Sequence, residues 1–520
     1  MCCLIISGLE WRQIRSSADN IFSVRGQTVV ILGLARQGIA LARYLSDHGA
    51  IVRASDLRKA DALGPVLTEL EQYPIDFVLG EHPESLLDGT DIIFVSGGVP
   101  SNTPLLQQAR ERDILISNDS QLFLEKAPCK VIGITGSAGK STSTVLAGRI
   151  ADSSGCFRKA WVGGNVGNPL IADVNRMTSD DVAIMELSSF QLEIMTASPT
   201  VAVILNITPN HLDRHKTMEQ YVEIKASILD GQCADDIAVL GWDDYTVRGL
   251  RERVRGRCWG FSIREHPSFL DGCHIHGDSL ILKRQGSYSQ FGYQKDIHLR
   301  GEHNKLNVLA AATLAAAVGV DPEVVPAAIR EFEGPPHRLE MVRDENRVRW
   351  VNDTMATTPE RTLAALRSFT APVILLLGGR DKNLPWGDLA ERLKTGVRAV
   401  VIFGEAAVLI ERALECEWNV PISPPAVEQD SETWSEGRET AFASEINGSE
   451  FSRAESHLSK PSAVPDLVRV KGLEEAVGKA ATFAEAGDVV LLSPGCTSYD
   501  DFSDASARGE RFRELVRVLS

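Results

Sequence analysis

The chain has 520 residues, with 54 Lys+Arg against 70 Asp+Glu and a formal net charge of −16. At roughly 150 residues per domain that length predicts three or four domains, each able to bury a core, and the acidity excludes a general nucleic-acid binder. The 43% hydrophobic and 6% aromatic residues are those of a soluble globular protein, not a disordered or fibrous one.

The apolar run Cys2–Ile6 falls far short of the ~20 residues of a spanning helix and has no basic segment before it. Nine cysteines, with neither CxxC spacing nor a disulfide framework, point to a reduced, cytoplasmic setting. Residues 28–32 (Thr-Val-Val-Ile-Leu) read as a strand and Gly33 as a tight turn, followed by a helix with Ile39, Leu41, Ala42 and Leu45 at helical spacing. Residues 51–55, followed by Asp56, read as a second strand, and 91–96, before Gly97-Gly98, as a later one. Residues 1–118 therefore predict a small parallel α/β domain. A second strand-to-helix start lies at Val131–Gly136, with the helix running through Ile150, and strands at 181–185 and 201–205 extend that sheet. An alanine-rich helix is expected at about Asn304–Val318, and Glu333-Gly-Pro-Pro-His337 breaks the periodicity as a linker. Three buried-strand runs follow, Val373–Leu377, Ala399–Phe403 and Val489–Leu492, each before a glycine-bearing turn. The expected domains are 1–118, 119–334 and 335–520. In the third the pattern dissolves between 424 and 465: residues 428–460 hold eight acids, three Lys/Arg and seven serines, which predicts a disordered insertion.

Thr135-Gly136-Ser137-Ala138-Gly139-Lys140-Ser141-Thr142 sits between a predicted strand and a predicted helix. Such a loop presents backbone N–H groups and a helix N-terminus to phosphate, a lysine to the β/γ-phosphates and a hydroxyl to Mg²⁺. Ile134 stands where the longer GxxxxGK[ST] form has glycine, so the match is to the shorter TGxxGK[ST] form. Gly33-Leu34-Ala35-Arg36-Gln37-Gly38 is GxAxxG, a weaker dinucleotide signal, with Asp56 at the distance of a ribose-binding acid and Arg36 and Arg58 favouring an anionic ligand. Glu186 ends a predicted strand and His211 follows another, at the sheet edge where ligands collect. Lys225, on a helix expected over Tyr221–Leu229, reads from pattern alone as a solvated surface charge.

Eight motifs in order, Thr-Gly-Ser-Ala-Gly-Lys-Ser-Thr (135–142), Gly-Gly-Asn-Val-Gly (163–167), Glu-Leu-Ser-Ser-Phe-Gln-Leu (186–192), His-Leu-Asp-Arg (211–214), Gly-Glu-His-Asn (301–304), Pro-His-Arg-Leu-Glu (336–340), Asn-Asp-Thr (352–354) and Ser-Pro-Gly-Cys-Thr-Ser (493–498), resemble those of the Mur ligases, the ATP-dependent amide-bond enzymes of peptidoglycan precursor synthesis. The 186–192 stretch, and the lack of an Asp-Asn-Pro-Arg motif, favour the branch that adds D-glutamate to UDP-N-acetylmuramoyl-L-alanine. The resemblance leaves out about the first 25 residues and the 424–465 insertion.

It implies three α/β domains: a Rossmann-like N-terminal domain holding the UDP-sugar, a central P-loop ATPase-like parallel-sheet domain, and a Rossmann-like C-terminal domain for the amino acid. It implies ATP as cosubstrate, bound by 136–142 together with Asn307, Arg338 and Asp353, across two domains that close on one another. Two Mg²⁺ ions are implied, on Ser141, Glu186, His211 and a Lys225 carbamylated by CO₂. For substrates it implies Arg36, Gln37, Arg58 and Ser96 at the UDP-sugar and Asn165 at the substrate or phosphate, with Ser188 and His337 as further substrate-binding residues, His337 on the same linker as Arg338. Thr357, Lys382, Ser498 and Tyr499 would meet the D-glutamate carboxylates. Two positions depart from the family pattern: Met355 stands where a lysine is expected, and Ala505 where an aromatic is, with Phe502 close by. Other readings stay open: another Mur ligase or a folylpolyglutamate synthetase-like enzyme, an NAD-dependent oxidoreductase built on the Gly33 turn, or a nucleotide-binding protein without catalysis.

Overall fold

The computed structural model describes residues 23–209, 212–264, 270–299, 301–381, 384–418 and 465–519, with 212 and 213 as backbone alone. His211, Lys382, residues 1–22 and the expected insertion up to residue 464 lie outside the described residues. The chain forms two compact units, one ending at Pro335 and the other beginning at Pro336, within the Gly-Pro-Pro segment read as a linker.

The first unit holds two sheets. Strands β1 (Thr28–Leu32), β2 (Ile51–Asp56), β3 (Ile75–Leu79), β4 (Ile92–Val95) and β5 (Leu115–Ser117) form a parallel sheet in the order β3-β2-β1-β4-β5. The order reverses between β1 and β4, so the turn after β1 and the loop after β4 flank one crevice. Helix α1 (Arg36–Asp47) packs back on the sheet through Leu41, Ala42 and Leu45, the apolar face that its periodicity predicts. The central sheet has nine strands: β6 (Lys130–Thr135), β7 (Ala160–Gly164), β8 (Val182–Glu186), β9 (Val201–Ile204), β10 (Ile237–Gly241), β11 (Arg257–Ser262), β12 (Asp271–His276), β13 (Ser279–Arg284) and β14 (Ser287–Tyr293). Their order is β14-β13-β12-β11-β10-β9-β6-β8-β7, parallel except for the β12–β13–β14 meander.

Three helices matter for the site: α2 (Lys140–Ser153), α3 (Met218–Ala226) and α4 (Glu302–Ala317). Helix α3 begins three residues before the expected Tyr221 because Thr217 caps it, its hydroxyl accepting the Gln220 N–H. Its expected last turn is a 3₁₀ turn, Ser227–Leu229. Helix α4 has no polar stripe: Asn307 through Ala316 are all buried, which fits its alanine-rich sequence.

The second unit carries β15 (Glu340–Glu345), β16 (Val348–Asn352), β17 (Val373–Gly378), β18 (Val397–Phe403), β19 (Asp466–Arg469) and β20 (Val489–Gly495) in the order β15-β16-β20-β17-β18-β19. All but the β15–β16 hairpin pair in parallel. Helix α5 (Ala505–Arg517) packs Phe512, Leu515 and Val516 into the core beside Trp350 and Leu492.

The first two sheets are joined by a buried polar seam. Asn118 caps the helix Asp119–Lys126, accepting from Gln121 N–H, while its amide donates to Gln191 O at 2.9 Å. Gln191 in turn donates to Ser120 Oγ at 2.7 Å, and Gln121 Oε1 accepts from Thr196 and Ala197 N–H. Asp119 is buried in the same seam, and burial pushes its carboxyl up to about 7 against the hydrogen bonds that favour the anion. A raised acid stabilises the fold fully below its unfolded value near pH 4 and loses that contribution as pH rises through about 7. Asp119→Asn is therefore expected to flatten the dependence of urea stability on pH between 4 and 7 and to gain at least ~1 kcal/mol at pH 8; parallel pH profiles of variant and parent would contradict this.

Candidate functional site

The phosphate-type loop leaves β6 in the middle of the central sheet and enters α2. It is held from two sides. On the β9 side, Asn206 exchanges two hydrogen bonds with the backbone of Ala138, its Oδ1 accepting Ala138 N–H at 2.8 Å and its amide donating to Ala138 O at 3.0 Å. Ser137 Oγ donates to Thr208 O at 3.0 Å and stands 3.1 Å from Tyr221 Oη. On the helix side, Asn307 lies against Gly139, where an added Cβ would come within 2.1 Å of its Oδ1, and Gly139 itself has φ of 84°. Glycine is thus required twice over at 139, by the left-handed backbone and by the approach of Asn307. The buried Ser143 hydroxyl meets Asn307 at 3.5 Å, which ties α4 to the same loop.

At the loop's mouth the acid, the hydroxyl and two lysines come together. Ser141 Oγ, in the first turn of α2, donates to Glu186 Oε2 at 2.6 Å, and Asn165 donates to Glu186 Oε1 at 2.8 Å. Lys140 curls back over the loop, donating to Gly136 O at 2.9 Å. Lys225 is not a surface charge. Its side chain is 1% exposed, and its Nζ donates to the same Gly136 O at 3.0 Å and lies 4.8 Å over the Tyr221 ring. Burial, and the nearby charge of Lys140, hold its ammonium well below the usual lysine range, with Glu186 pulling the other way. Thr142 follows half-buried in α2. The Ser188 hydroxyl takes part in a capping box with Gln191 at the start of the short helix Ser189–Leu192.

At the crevice of the first sheet, Ser96 Oγ donates to Gly33 O at 2.8 Å, and Gln37 Oε1 accepts Gly97 N–H at 3.1 Å. Arg36 reaches the second sheet's β7 loop, donating to Gly167 O at 3.0 Å. Both oxygens of Asp56 are occupied by Arg58 and by the backbone N–H of Leu34 and Arg58. Burial would raise this carboxyl, but those bonds outweigh it and hold it at about 2. An acid so engaged has no oxygen left for the two hydroxyls of a nicotinamide cofactor's ribose, which removes the reason for the oxidoreductase reading.

In the second unit, β16, β20 and β17 are neighbours, so the loops at their C-terminal ends share one edge. Asp353 follows β16, Ser498 and Tyr499 follow β20, and Thr357 lies in the turn beyond Asp353. Burial pushes Asp353 up to about 7, opposed by a 2.9 Å hydrogen bond from Ser493 and by the charges of Arg338 and Arg361. Arg338 is exposed, Ser498 buried, Thr357 half-buried and Tyr499 exposed. His337 adopts φ of 65° and packs under α5, with Nδ1 3.0 Å from Asn352 Nδ2 and Nε2 3.4 Å from Glu510, so it braces the start of this unit. Phe502 is half-buried and packs against the apolar core.

Pattern reading missed Asn206, Tyr221 and Arg508. Tyr221 had a signal, since it lies four residues before Lys225 on one helix face. Asn206 and Arg508 had none, because their roles arise from contacts with loops distant in sequence. Among the described residues there is no cluster of three or more His, Cys, Asp or Glu. The Ser141–Glu186 pair nonetheless fits Mg²⁺, a hard ion usually held by one or two protein oxygens together with substrate phosphates and water. No helix among the described residues is long and apolar enough to cross a membrane. Gly139→Ala should lower the affinity of the loop for an adenine nucleotide by about tenfold or more, through both strain and the clash with Asn307; an unchanged dissociation constant by calorimetry would contradict the packing described.

The family model for the Mur ligase middle domain matches residues 134–315, that for the Mur ligase MurD-like N-terminal domain residues 27–118, and that for the Mur ligase glutamate ligase domain residues 337–450. The chain is 35% identical over 494 residues to the UDP-N-acetylmuramoylalanine--D-glutamate ligase of Symbiobacterium thermophilum, covering 95% of this chain and 98% of that protein. It is 33% identical over 496 residues to the ligase of the same name from Clostridium novyi, with the same coverage. Among solved structures, the UDP-N-acetylmuramate-alanine ligase MurC of Thermotoga maritima aligns with a TM-score of 0.54 at 17% identity, covering 94% of this chain and 99% of that one. MurF from Acinetobacter baumannii aligns with a TM-score of 0.51 at 16% identity, covering 98% of each. At such identities the structures speak for the fold alone, but the three family models and the near-complete alignment to curated relatives decide the kinship: the chain belongs to the Mur ligase family.

Proposed function

We infer that the chain is an ATP-dependent ligase that joins D-glutamate to UDP-N-acetylmuramoyl-L-alanine in peptidoglycan precursor synthesis, in the cytoplasm. The relatives of that name, alike over nearly the whole length, support the choice of substrates. The observation that carries the chemistry is the cluster at the phosphate loop, where Ser141, Glu186, Lys140 and Lys225 converge on the mouth of β6. A carboxylate is a poor acyl donor because oxide is a poor leaving group. Its oxygen attacks the γ-phosphorus of ATP, ADP departs, and an acyl phosphate results. The amine of D-glutamate then attacks the acyl carbon, loses a proton and expels phosphate.

Phosphoryl transfer asks a protein for position and charge more than for bond-making. The loop N–H groups and Lys140 hold the phosphates, and Asn307 keeps the loop from collapsing. Mg²⁺ on Ser141 and Glu186, and a second ion on His211 and Lys225, would neutralise the phosphate charge. A lysine amine can hold a cation only after conversion to an anion. Carbamylation by CO₂ does this, and it begins from the neutral amine that burial of Lys225 favours. Asn165, paired to Glu186, would orient that acid and meet the substrate, while Arg36, Gln37, Arg58 and Ser96 line the edge suited to the UDP-sugar. In the second unit Asp353, Arg338 and His337 would serve the nucleotide, and Thr357, Lys382, Ser498 and Tyr499 the amino acid. Met355 stands among the latter without a charge.

Coupled ADP release should require UDP-N-acetylmuramoyl-L-alanine and D-glutamate together; turnover with a different amino acid and none with D-glutamate would overturn the assignment. Lys225→Ala is expected to lose at least ~100-fold in kcat and to regain part of it with added acetate or formate. Full activity of the untreated variant would remove the carbamate.

A further inference from the structure

Arg508, in the first turns of α5, has the largest fully buried side chain among the described residues, at 0% exposure. Its guanidinium has five N–H donors, and the structure shows five hydrogen bonds from it. Nε donates to Thr354 Oγ1 at 2.9 Å, Nη1 to Gly378 O at 3.3 Å and Thr497 O at 3.1 Å, and Nη2 to Thr354 O and Cys496 O, both at 3.1 Å. Every acceptor is a carbonyl or hydroxyl oxygen; none is a carboxylate. Those oxygens lie at three neighbouring strand ends: Thr354 in the loop after β16, Cys496 and Thr497 in the loop after β20, and Gly378 as the last residue of β17, where its loop begins.

The same loops touch each other around this side chain. Thr354 donates its hydroxyl to Ala505 O at 3.1 Å, and Arg380 and Thr497 exchange backbone hydrogen bonds at 3.0 Å. Gly379 has φ of 125°, and a Cβ there would come within 2.0 Å of Thr497 O and 2.9 Å of Arg508 Nη1, so the loops approach as closely as backbone permits. The same loops carry Thr357, Arg380 and Ser498. A buried cation is costly, and burial pulls this one down to about 10 against the opposing charge of Asp500, to which it has no direct hydrogen bond, so it remains charged at neutral pH. Its field is screened by little water and reaches the loops it holds.

We propose that Arg508 is the positioning residue of the amino-acid end of the site: it staples the three edge loops into one geometry and puts a fixed positive charge behind them that favours a dianionic amino acid, without touching it. The proposal rests on the reading of this edge as the D-glutamate pocket. Lysine cannot replace it, because three donors on a point charge cannot bind acceptors on three loops in the plane of a guanidinium.

The test uses the full chain with Arg508→Lys and Arg508→Ala. Hydrogen exchange, which needs no substrate, should accelerate together at 353–358, 378–381 and 496–499 in both variants and stay unchanged in the central sheet; unchanged exchange in any one loop would overturn the staple. In steady state the KM for D-glutamate should rise about tenfold or more with the KM for ATP within about twofold. Millimolar guanidinium ion should lower the D-glutamate KM of Arg508→Ala but not of the parent. An equal rise in all KM values with no rescue would reduce Arg508 to a structural residue and overturn the proposal. Loop loosening in the variants of a parent that turns over no D-glutamate would leave the staple standing and sink the functional reading instead.

Discussion

The first unit depends on keeping a lysine amine out of water next to a second lysine. Lys225 and Lys140 both donate to the carbonyl of Gly136, and among the described residues Glu186 is the acid whose charge acts on Lys225. Two ammonium ions so placed would repel strongly in a medium that screens little. The fold eases that repulsion by burying Lys225, which holds its ammonium well below the usual lysine range. The bracing of the loop by Asn206 and Asn307 follows from the same need, since a loop free to shift would let water reach the amine.

The three sheets solve one geometric problem in the same way. Each carries its chemistry on loops leaving the C-terminal ends of adjacent parallel strands, where backbone N–H groups and helix N-termini point outward. In the first sheet these are the ends of β1 and β4, in the central sheet of β6, β8 and β9, and in the second unit of β16, β20 and β17. The antiparallel additions β13 and β14 lie at the far edge of the central sheet, where Leu282 and Phe291 join its apolar core, whereas β15 starts beside the end of β16, with Glu340 opposite Asn352.

The legible parts of the sequence were those in which the chemistry is local. A strand, glycine loop and lysine in succession identify themselves, and so do apolar runs ending at Gly33, Glu186 and Gly378. Strands β3, β5 and β7 were not legible, because they are short and partly exposed, as in the mixed burial of Ile75–Leu79. Lys225 was misread from pattern because a helix bearing polar residues all round gives no sign of which face is covered, and the phosphate loop covers it. The pairing of Asp56 with Arg58 was also hidden: two residues apart, they looked like two separate ligand contacts.

The guanidinium of Arg508 has an evolutionary consequence. A side chain whose five donors are all used, four of them by backbone carbonyls, cannot be exchanged one step at a time, since any single change strands several carbonyls at once. Thr354, Gly378, Gly379 and Arg508 should therefore drift as a block or not at all. Change in amino-acid preference is left to positions outside the block, among which Met355 and Tyr499 are free of those bonds. Variation at these two positions, on an unvarying frame, is how this edge of the fold can acquire a new specificity without losing its shape.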